Sequence, residues 1–144
     1  NARAAFVGLT ASHTLDHLTR AVLEGVAFSL RDSLEVFREI GAPIDRIRLG
    51  GGGARSRLWR QIQADVYGHP VETVEAEEGA AFGAAILAGV GVGAWSSVDE
   101  ACASVIRVGE VTEPHRNAAE ILERNYQAYR LLYGALRPVT EIIR

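Results

Sequence analysis

The sequence predicts an α/β fold in which short parallel strands are covered by helices. Three observations lead to this prediction. An apolar periodicity marks a long helix near the start, strand-like and helix-like segments then alternate, and four consecutive glycines follow the first strand. Alternating strands and helices are typical of parallel sheets, because parallel strands need a long crossover connection between them.

The first helix is predicted over residues 14–40. Its apolar residues recur at steps of three and four, which places them on one face that we expect to be buried. These residues are Leu15, Leu18, Val22, Val26, Leu30, Leu34 and Phe37. Gly41 lies where a left-handed C-cap belongs, and Pro43 prevents the helix from continuing. Gly25 inside the helix costs about 1 kcal/mol relative to alanine, which indicates close packing against a neighbouring element.

The segments after the first helix carry their own signals. Short strands are predicted over residues 44–49 and 70–74, and helices over residues 56–67, 79–88, from 97 onward, and 114–136. Ser97 with Glu100 three residues later forms a capping-box pattern. The helix over residues 79–88 is rich in glycine and alanine, so we expect its backbone to lie close to the sheet that it covers.

Two predicted strands are too few to form a complete sheet. A parallel pair flanked by helices leaves its edges unpaired, and unpaired edges promote association with other strands. We therefore expect the remaining strands to come from residues upstream of this chain or from another chain. The chain is expected to be a fragment of a larger protein, and association into a homo-oligomer is a second way to complete the sheet.

Composition argues against several classes of function. The chain is 48% hydrophobic and 23% charged, and its net charge of −3 favours neither nucleic acid nor an anionic membrane as a partner. No apolar run reaches the roughly 20 residues that a membrane-spanning helix needs. Cys102 is the only cysteine, which excludes an intrachain disulfide and fits the reducing cytoplasm where we expect the protein to act.

The glycine run carries the most chemical information. Residues 47–56 indicate a buried strand, a glycine-rich turn and the N-terminus of a helix. Such a turn presents backbone N–H groups and the positive end of the helix dipole, which suit a phosphate. Its lack of Cβ atoms also lets a base or a ribose approach the main chain. In parallel sheets, ligands bind beyond the C-terminal strand ends, where this turn is predicted to lie.

Two nucleotide-binding motifs are incomplete in this segment. The P-loop ends in Gly-Lys followed by Ser or Thr, and the segment contains no lysine. The dinucleotide fingerprint needs a third glycine or an alanine, and the two possible registers place Ser56 or Arg55 there. An alternative is that the glycines only allow a tight strand-to-helix turn. Four in a row exceed what one turn requires, which favours a ligand.

Three groups of residues together give the chain a family resemblance. The first consists of Ala4, Phe6, Gly8 and Leu9 and, after a gap of seven residues, His17, Leu18, Ala21, Val22, Leu23 and Glu24. The second is the run Gly51-Gly52-Gly53-Ala54-Arg55-Ser56 followed by Trp59-Arg60-Gln61, and the third is the small-residue segment 78–85. Over nearly its whole length the chain resembles the C-terminal region of the FGGY carbohydrate kinases, most closely that of the xylulokinases.

The resemblance implies part of an actin-like, ribonuclease-H-like ATPase lobe. Residues 1–144 would be a fragment of the C-terminal, nucleotide-binding lobe of a two-lobed kinase, with the N-terminal lobe and the start of the C-terminal lobe outside the chain. The implied reaction is the phosphorylation of a sugar by ATP, D-xylulose at its 5-hydroxyl, with Mg²⁺ as a cofactor. Gluconokinase or another FGGY sugar kinase is an alternative, and so is a non-catalytic interaction or regulatory domain with the same fold.

The resemblance also implies which residues meet the nucleotide. Gly52 and Gly53 would lie against it, Gly51 would shape the turn, and Ala54 and Arg57 would lie near the adenine or the ribose. Arg57 is a departure from the glycerol kinases, which carry asparagine at that position. No catalytic residue is implied in this chain, because the catalytic aspartate and the sugar-binding residues lie upstream in the family. The isolated chain is therefore expected to be inactive.

A pair of histidines near the start of the first helix is a candidate metal site. His13 and His17 lie one helical turn apart and could share a metal ion. No third ligand is evident, so the simpler interpretation is that both are polar residues at a helix start. No metal site is predicted in the chain.

An acidic cluster precedes the small-residue helix. It consists of Glu72, Glu75, Glu77 and Glu78. Its last two carboxylates stand at a predicted helix N-terminus, where negative charge is stabilising, and this interpretation is favoured over a paired-carboxylate active site. Trp59 is interpreted as a core residue rather than a wall of the nucleotide site.

Overall fold

The computed structural model describes residues 3–75 and 79–143 and has the predicted α/β architecture. Within these ranges, no helix is long and apolar enough to cross a membrane. The elements in chain order are α1 (Leu15–Glu39), β1 (Ile47–Leu49), a 3-10 turn (Gly52–Arg55), α2 (Arg57–Tyr67), β2 (Val71–Val74), α3 (Gly79–Gly91), α4 (Val98–Val105), β3 (Val108–Thr112) and α5 (Arg116–Ile142).

The three strands form one mixed sheet in the order β1-β2-β3. β1 and β2 are parallel, with Ile47 opposite Val71, and α2 lies in the crossover between them, as predicted. β3 pairs antiparallel with β2, with Thr112 opposite Val71, and no strand is predicted there from the sequence. A glycine in the interior of a segment, here Gly109, weakens a strand, so the sequence does not favour one there. In the structure Gly109 lies so close to β2 that a Cβ would be 2.6 Å from Oγ1 of Thr73.

α1 buries a different face from the one predicted. Its buried residues are Ala27, Phe28 and Arg31, and Leu23 and Leu34 are partly buried against the core. The exposed side of the helix includes most of the predicted set, namely Leu15, Val22, Val26, Leu30 and Phe37. The prediction was wrong because α1 carries apolar residues on more than one side. The buried face is also centred on a charged residue, which an apolar periodicity cannot identify.

α2 lies at the centre of the hydrophobic core. Residues 62–67 are all buried, and α1, α5 and the sheet pack around them. The core consists of Ala27, Phe28, Leu49, Ile62, Ala64, Val66, Tyr67, Val71, Leu122 and Tyr126. Phe28 of α1 contacts both Tyr126 and Tyr129 of α5, with ring centroids 5.7 and 5.4 Å away. These tilted aromatic contacts join the first and the last helix.

Arg31 connects three helices at the edge of this core. Within α1 its Nε donates to Glu35 at 3.0 Å, and its two terminal nitrogens reach the other helices. One donates to the main-chain oxygen of Val66 in α2 at 2.9 Å, and the other donates to Glu123 of α5 at 2.6 Å. Burial alone would lower the pKa of Arg31, but hydrogen bonds and charges from Glu123 and Glu35 outweigh burial and raise this pKa. The guanidinium therefore stays charged.

The predicted capping signals act at the helix ends. α1 ends at Glu39, and the chain then turns at Gly41, which has a φ of 70°, while the N–H of Ala42 donates to the oxygen of Phe37 at 3.0 Å. Ser97 caps α4 by accepting the N–H of Glu100 at 3.1 Å. The carboxylate of Glu100 accepts the N–H of Ser96 at 2.8 Å rather than that of the cap residue, so the capping box is shifted by one residue.

Three predictions about helix extent and packing were wrong. α5 continues through Pro138 to residue 142 instead of ending near residue 136, at the cost of the hydrogen bond to the oxygen of Gly134. α3 packs mainly against α4 rather than on the sheet, and its Gly89 faces the indole of Trp95. A Cβ at Gly25 would meet nothing within 4 Å, so close packing does not explain that glycine.

Replacing Arg31 with Met should lower the free energy of unfolding by about 2 kcal/mol. The oxygen of Val66 would lose its hydrogen-bond donor, and the Tyr126 ring would lose the guanidinium whose Cζ lies 4.1 Å from the ring centroid. Urea denaturation followed by circular dichroism measures the change. The matched control is Arg116→Met, because that exposed guanidinium pairs with Glu120 of the same helix and holds no other described element. It should change stability by less than about 0.5 kcal/mol. Equal effects of the two variants would contradict the role of Arg31.

Stability should fall between pH 10 and pH 12. Burial raises the pKa of Tyr67 from 10.0 to about 12, and burial together with a 2.7 Å hydrogen bond to Asp32 raises the pKa of Tyr126 to about 12. The fold thus keeps phenolic protons that the unfolded chain releases, so their contribution is complete below pH 10 and is lost as pH rises towards 12.

Urea midpoints measured from pH 9 to pH 12 test this expectation. The sequence contains no lysine, so few other side chains titrate in the window. Tyr126→Phe should make the decline shallower, and absorbance at 295 nm should show delayed tyrosine ionisation. A midpoint that stays constant up to pH 11.5 would show that the tyrosines do not resist ionisation.

Candidate functional site

Residues 50–56, called here the glycine turn, connect the buried end of β1 to the start of α2. The chain bends at Gly51, with φ 75° and ψ −179°, and then forms the 3-10 helix Gly52–Arg55. Ser56 caps α2 by accepting the N–H of Trp59 at 3.3 Å. The structure therefore contains the predicted strand, turn and helix N-terminus, at the C-terminal end of a parallel strand.

The four glycines of the turn have different structural reasons. Gly51 adopts a backbone conformation that is essentially confined to glycine. A Cβ at Gly53 would lie 3.2 Å from Cδ1 of Trp59, which is tighter than ordinary contact. Gly50 and Gly52 do not have positive φ values, and a Cβ on either would meet nothing within 4 Å. Two of the four positions are thus bare without a reason in the described structure, beyond what a tight turn needs.

The residues that the sequence assigns to the nucleotide lie in two environments. Gly51, Gly52 and Gly53 are exposed, and so is Arg57, the first residue of α2. Ala54 and Trp59 are half-buried and pack against the core, and the indole of Trp59 also lies beside Gly53. The turn therefore has one face of bare main chain towards solvent and another face that is held against the protein.

Arg60 holds the buried face of the turn. Its side chain is 6% exposed, and Nη1 donates to the main-chain oxygen of Ala54 at 2.7 Å. Nη2 donates to Oε2 of Glu110 on β3 at 2.6 Å. In the sequence, Arg60 is part of a motif that carries the family resemblance, but no role is predicted for it. The apolar periodicity gives no signal for its burial, because two positions along a helix place Arg60 on the side away from Ile62.

A second polar group links α2 to the start of α5. Asp65 is 3% exposed, and its Oδ1 accepts the amide of Gln61 at 2.9 Å and the backbone N–H of His115 at 2.7 Å. Gln61 also donates to the main-chain oxygen of Glu113 at 2.9 Å. Because His115 is the N-cap of α5, the carboxylate satisfies one of the free N–H groups of that helix.

The acidic cluster is only partly described. Glu72 forms an ion pair with Arg48 across the parallel strands, with Nε and Oε1 2.7 Å apart, and Glu75 is exposed. Glu77 and Glu78 lie outside the described residues. The side chain of Glu72 is therefore engaged in a structural pair on the sheet rather than in a carboxylate dyad.

The two histidines take part in local hydrogen bonds at the start of α1. Nδ1 of His13 accepts the N–H of Thr10 at 2.9 Å, and Nδ1 of His17 accepts the N–H of Thr14 at 3.2 Å. These contacts confirm that both are polar residues of a helix start. Within residues 3–75 and 79–143, no group of three or more His, Cys, Asp and Glu side chains could hold a metal ion.

A groove lies away from the glycine turn. It has a volume of about 1320 Å³ and runs between residues 3–9, α1 and α5. Phe6, Phe28 and Tyr133 contribute to its walls, and no residue of the glycine turn does. The turn itself is exposed at Gly51, Gly52 and Gly53.

Comparison with known proteins relates the chain to sugar kinases. The model of the FGGY family of carbohydrate kinases, C-terminal domain, matches residues 1–92. The chain is 36% identical over 138 residues to a xylulose kinase of Staphylococcus epidermidis, covering 96% of the chain and 28% of that protein. It is thus similar to just over a quarter of this relative.

Solved structures give the same relationship. The xylulose kinase of Rhodospirillum rubrum is 40% identical, with a TM-score of 0.81, and the match covers 94% of this chain and 28% of that one. The gluconate kinase of Lactobacillus acidophilus is 27% identical, with a TM-score of 0.84, and the match covers 94% and 27%. The arrangement of α1 to α5 is therefore one that sugar kinases contain.

Alanine substitutions should separate the glycines of the turn. Gly51→Ala should lower the free energy of unfolding by about 1–3 kcal/mol, because its conformation is unfavourable for any residue with a Cβ. Gly50→Ala, the matched control, should change it by less than about 0.5 kcal/mol, because its Cβ would point into open space. Thermal and urea denaturation of both variants measure the difference. Equal stability of the two variants would contradict a positive φ at Gly51.

Proposed function

The chain belongs to the FGGY family of carbohydrate kinases, and from this membership we propose that it is the C-terminal, nucleotide-binding part of an ATP-dependent sugar kinase. The proposed reaction transfers the γ-phosphoryl group of ATP to the 5-hydroxyl of D-xylulose. The similarity to xylulose kinases supports this sugar, and the similarity to a gluconate kinase keeps D-gluconate as the second candidate. The single cysteine and the use of ATP support a cytoplasmic location.

The bare main chain of the glycine turn is the observation that carries the proposal. Gly50 and Gly52 lack side chains although neither φ nor packing requires it, and a Cβ at either position would occupy the space where a ligand would lie. The adenosine part of ATP fits such a surface, since a planar base or a ribose can lie directly on peptide groups. Gly52 is therefore the main proposed contact.

The other assigned residues have supporting roles in this proposal. Gly51 sets the bend, and Gly53 completes the bare strip while it also makes room for Trp59. Ala54 and Arg57 lie at the α2 end of the turn, next to where adenine or ribose would be. Arg57 is exposed at a helix N-terminus, so it adds positive charge close to an anionic ligand.

Catalysis requires groups beyond those of this chain. Phosphoryl transfer depends on positioning, on neutralisation of charge and on a carboxylate that takes the proton of the hydroxyl group. In this proposal the residues of the glycine turn supply positioning of the nucleotide. We propose that the catalytic base, the sugar contacts and the ligands of Mg²⁺ belong to the rest of a kinase of the length of its relatives. Mg²⁺ would neutralise phosphate charge when bound, and we assign no residue of this chain to it.

An assay of sugar phosphorylation tests the proposed function. In the full-length kinase, ADP release should depend on D-xylulose, and the 144-residue chain alone should show none. Gly52→Val should raise the KM for ATP about tenfold, a loss of about 1.4 kcal/mol, and should leave the KM for D-xylulose unchanged, because the side chain occupies the place of the nucleotide.

Gly134→Val is the matched control for this experiment. Gly134 has an ordinary φ and open space at its Cβ, like Gly52, but it lies on α5. It should leave both KM values unchanged. D-gluconate as the better substrate would replace the proposed sugar, and an unchanged KM for ATP in Gly52→Val would remove the nucleotide from the turn. Activity of the isolated chain would show that the base is not outside it.

A further inference from the structure

We propose that Arg60 is a positioning residue for the nucleotide: it fixes the glycine turn to β3, so that the turn has its binding shape before the ligand arrives. This inference rests on the proposed function, because it assumes that the turn binds adenine nucleotide. Arg60 itself touches no ligand in this proposal. It acts through the peptide group of Ala54, and β3 becomes a support of the site although it is remote from the bare glycines.

The guanidinium of Arg60 is placed to hold two elements at once. Its Nη1 lies 2.7 Å from the oxygen of Ala54, which is in the middle of the 3-10 turn, and its Nη2 lies 2.6 Å from the carboxylate of Glu110. Both hydrogen bonds are charge-assisted, because Arg carries its charge at every ordinary pH. The planar group fixes the direction of the peptide at Ala54 relative to β3.

A contact from outside the turn matters because local hydrogen bonds do not tie the turn to the rest of the protein. The bonds that close it include those from the N–H of Ala54 to the oxygen of Gly51 and from the N–H of Ser56 to the oxygen of Gly53, both at 3.1 Å, and they link only neighbouring residues. Ordering a residue costs about 1–2 kcal/mol, and glycine loses more freedom than any other residue. A ligand that had to order four glycines would bind weakly, so a turn that is already held binds better.

Stability alone gives no reason for this buried cation. Removing a guanidinium from water costs several kcal/mol, and its partner Glu110 is more than half exposed, so water weakens the attraction that would offset this cost. The remaining donor, Nε, is buried and has no hydrogen-bond partner among the described residues, which adds to the cost. The burial of Arg60 therefore costs free energy, and the structural result that accompanies this cost is a fixed position of the Ala54 carbonyl.

Glu110 is itself fixed by the neighbouring strand. The N–H of Glu110 donates to Oγ1 of Thr73 at 2.9 Å, and the hydroxyl group of Thr73 donates to the main-chain oxygen of Glu110 at 3.4 Å. The carboxylate is more than half exposed, so its pair with Arg60 is screened by water. These hydrogen bonds to β2 keep Glu110 in place. Because Arg60 binds both Glu110 and the oxygen of Ala54, a fixed Glu110 also fixes the turn.

Kinetics of the full-length kinase with three variants test the proposal. Arg60→Met should raise the KM for ATP and the Kd for ADP about tenfold, with kcat at saturating ATP and the KM for D-xylulose within about twofold of the unaltered enzyme. Arg60→Lys keeps the charge but cannot reach both acceptors in one plane, so it should recover part of the affinity. Glu110→Gln should weaken ADP binding about threefold. The double variant with Arg60→Met should be no weaker than Arg60→Met alone, because both changes remove one unit.

Amide hydrogen exchange in the 144-residue chain adds a test without nucleotide. The N–H groups of Ala54 and Ser56 should exchange faster in Arg60→Met, while those of α5 should not. Arg116→Met, on the exposed side of α5, should change neither exchange at the turn nor the KM for ATP. If Arg60→Met does not fold, Arg60→Lys and Glu110→Gln decide the question alone.

The outcomes separate this inference from the proposed function. If the unaltered kinase does not bind ADP, both fall. If Gly52→Val weakens ADP binding but every folded variant of Arg60 and Glu110 binds ADP normally, only this inference falls. Equal changes in the KM values of ATP and D-xylulose, or a lower melting temperature with unchanged affinity, would show a merely structural role and would also overturn it.

Discussion

The burial of α2 on most of its sides is the constraint on which the rest of the structure depends. Because residues 62–67 are all inside, α1, α5 and the sheet must each present a complementary surface to the same helix. The polar residues of α2 then have few possible partners. Arg60 reaches the glycine turn and β3, and Asp65 reaches the start of α5. One buried helix thus determines where the strand ends, where the turn points and where the last helix begins.

Signals that act over a few residues made much of this fold predictable. The left-handed glycine after α1 at Gly41, the N-cap at Ser97, and the order of β1, α2 and β2 depend on local backbone chemistry, so the sequence predicts them well. What failed depends on contacts between distant residues. The buried face of α1 is chosen by Tyr126 and by the partners of a charged arginine, which no apolar periodicity includes.

The site shows the same division. The run of glycines and the following helix start predict a bare turn at a strand end, and the structure has that turn. Sequence alone cannot distinguish the glycine that is required by its φ from the one that makes room for Trp59 or from the two that are bare without an internal reason. That distinction requires the positions of neighbours. The role of Arg60 depends on its pair with Glu110 of β3. That strand is not predicted from the sequence, because Gly109 interrupts its apolar pattern.

The close approach of Gly109 to β2 has a consequence beyond the strand. Oγ1 of Thr73 occupies the space that any side chain at position 109 would need, so a larger residue must displace either β3 or the Thr73 hydroxyl group. Because that hydroxyl group accepts the N–H of Glu110, either displacement disturbs the place of Glu110 beside Arg60. A substitution at this glycine, which lies outside the glycine turn, would then reach the turn indirectly, through β3 and Arg60.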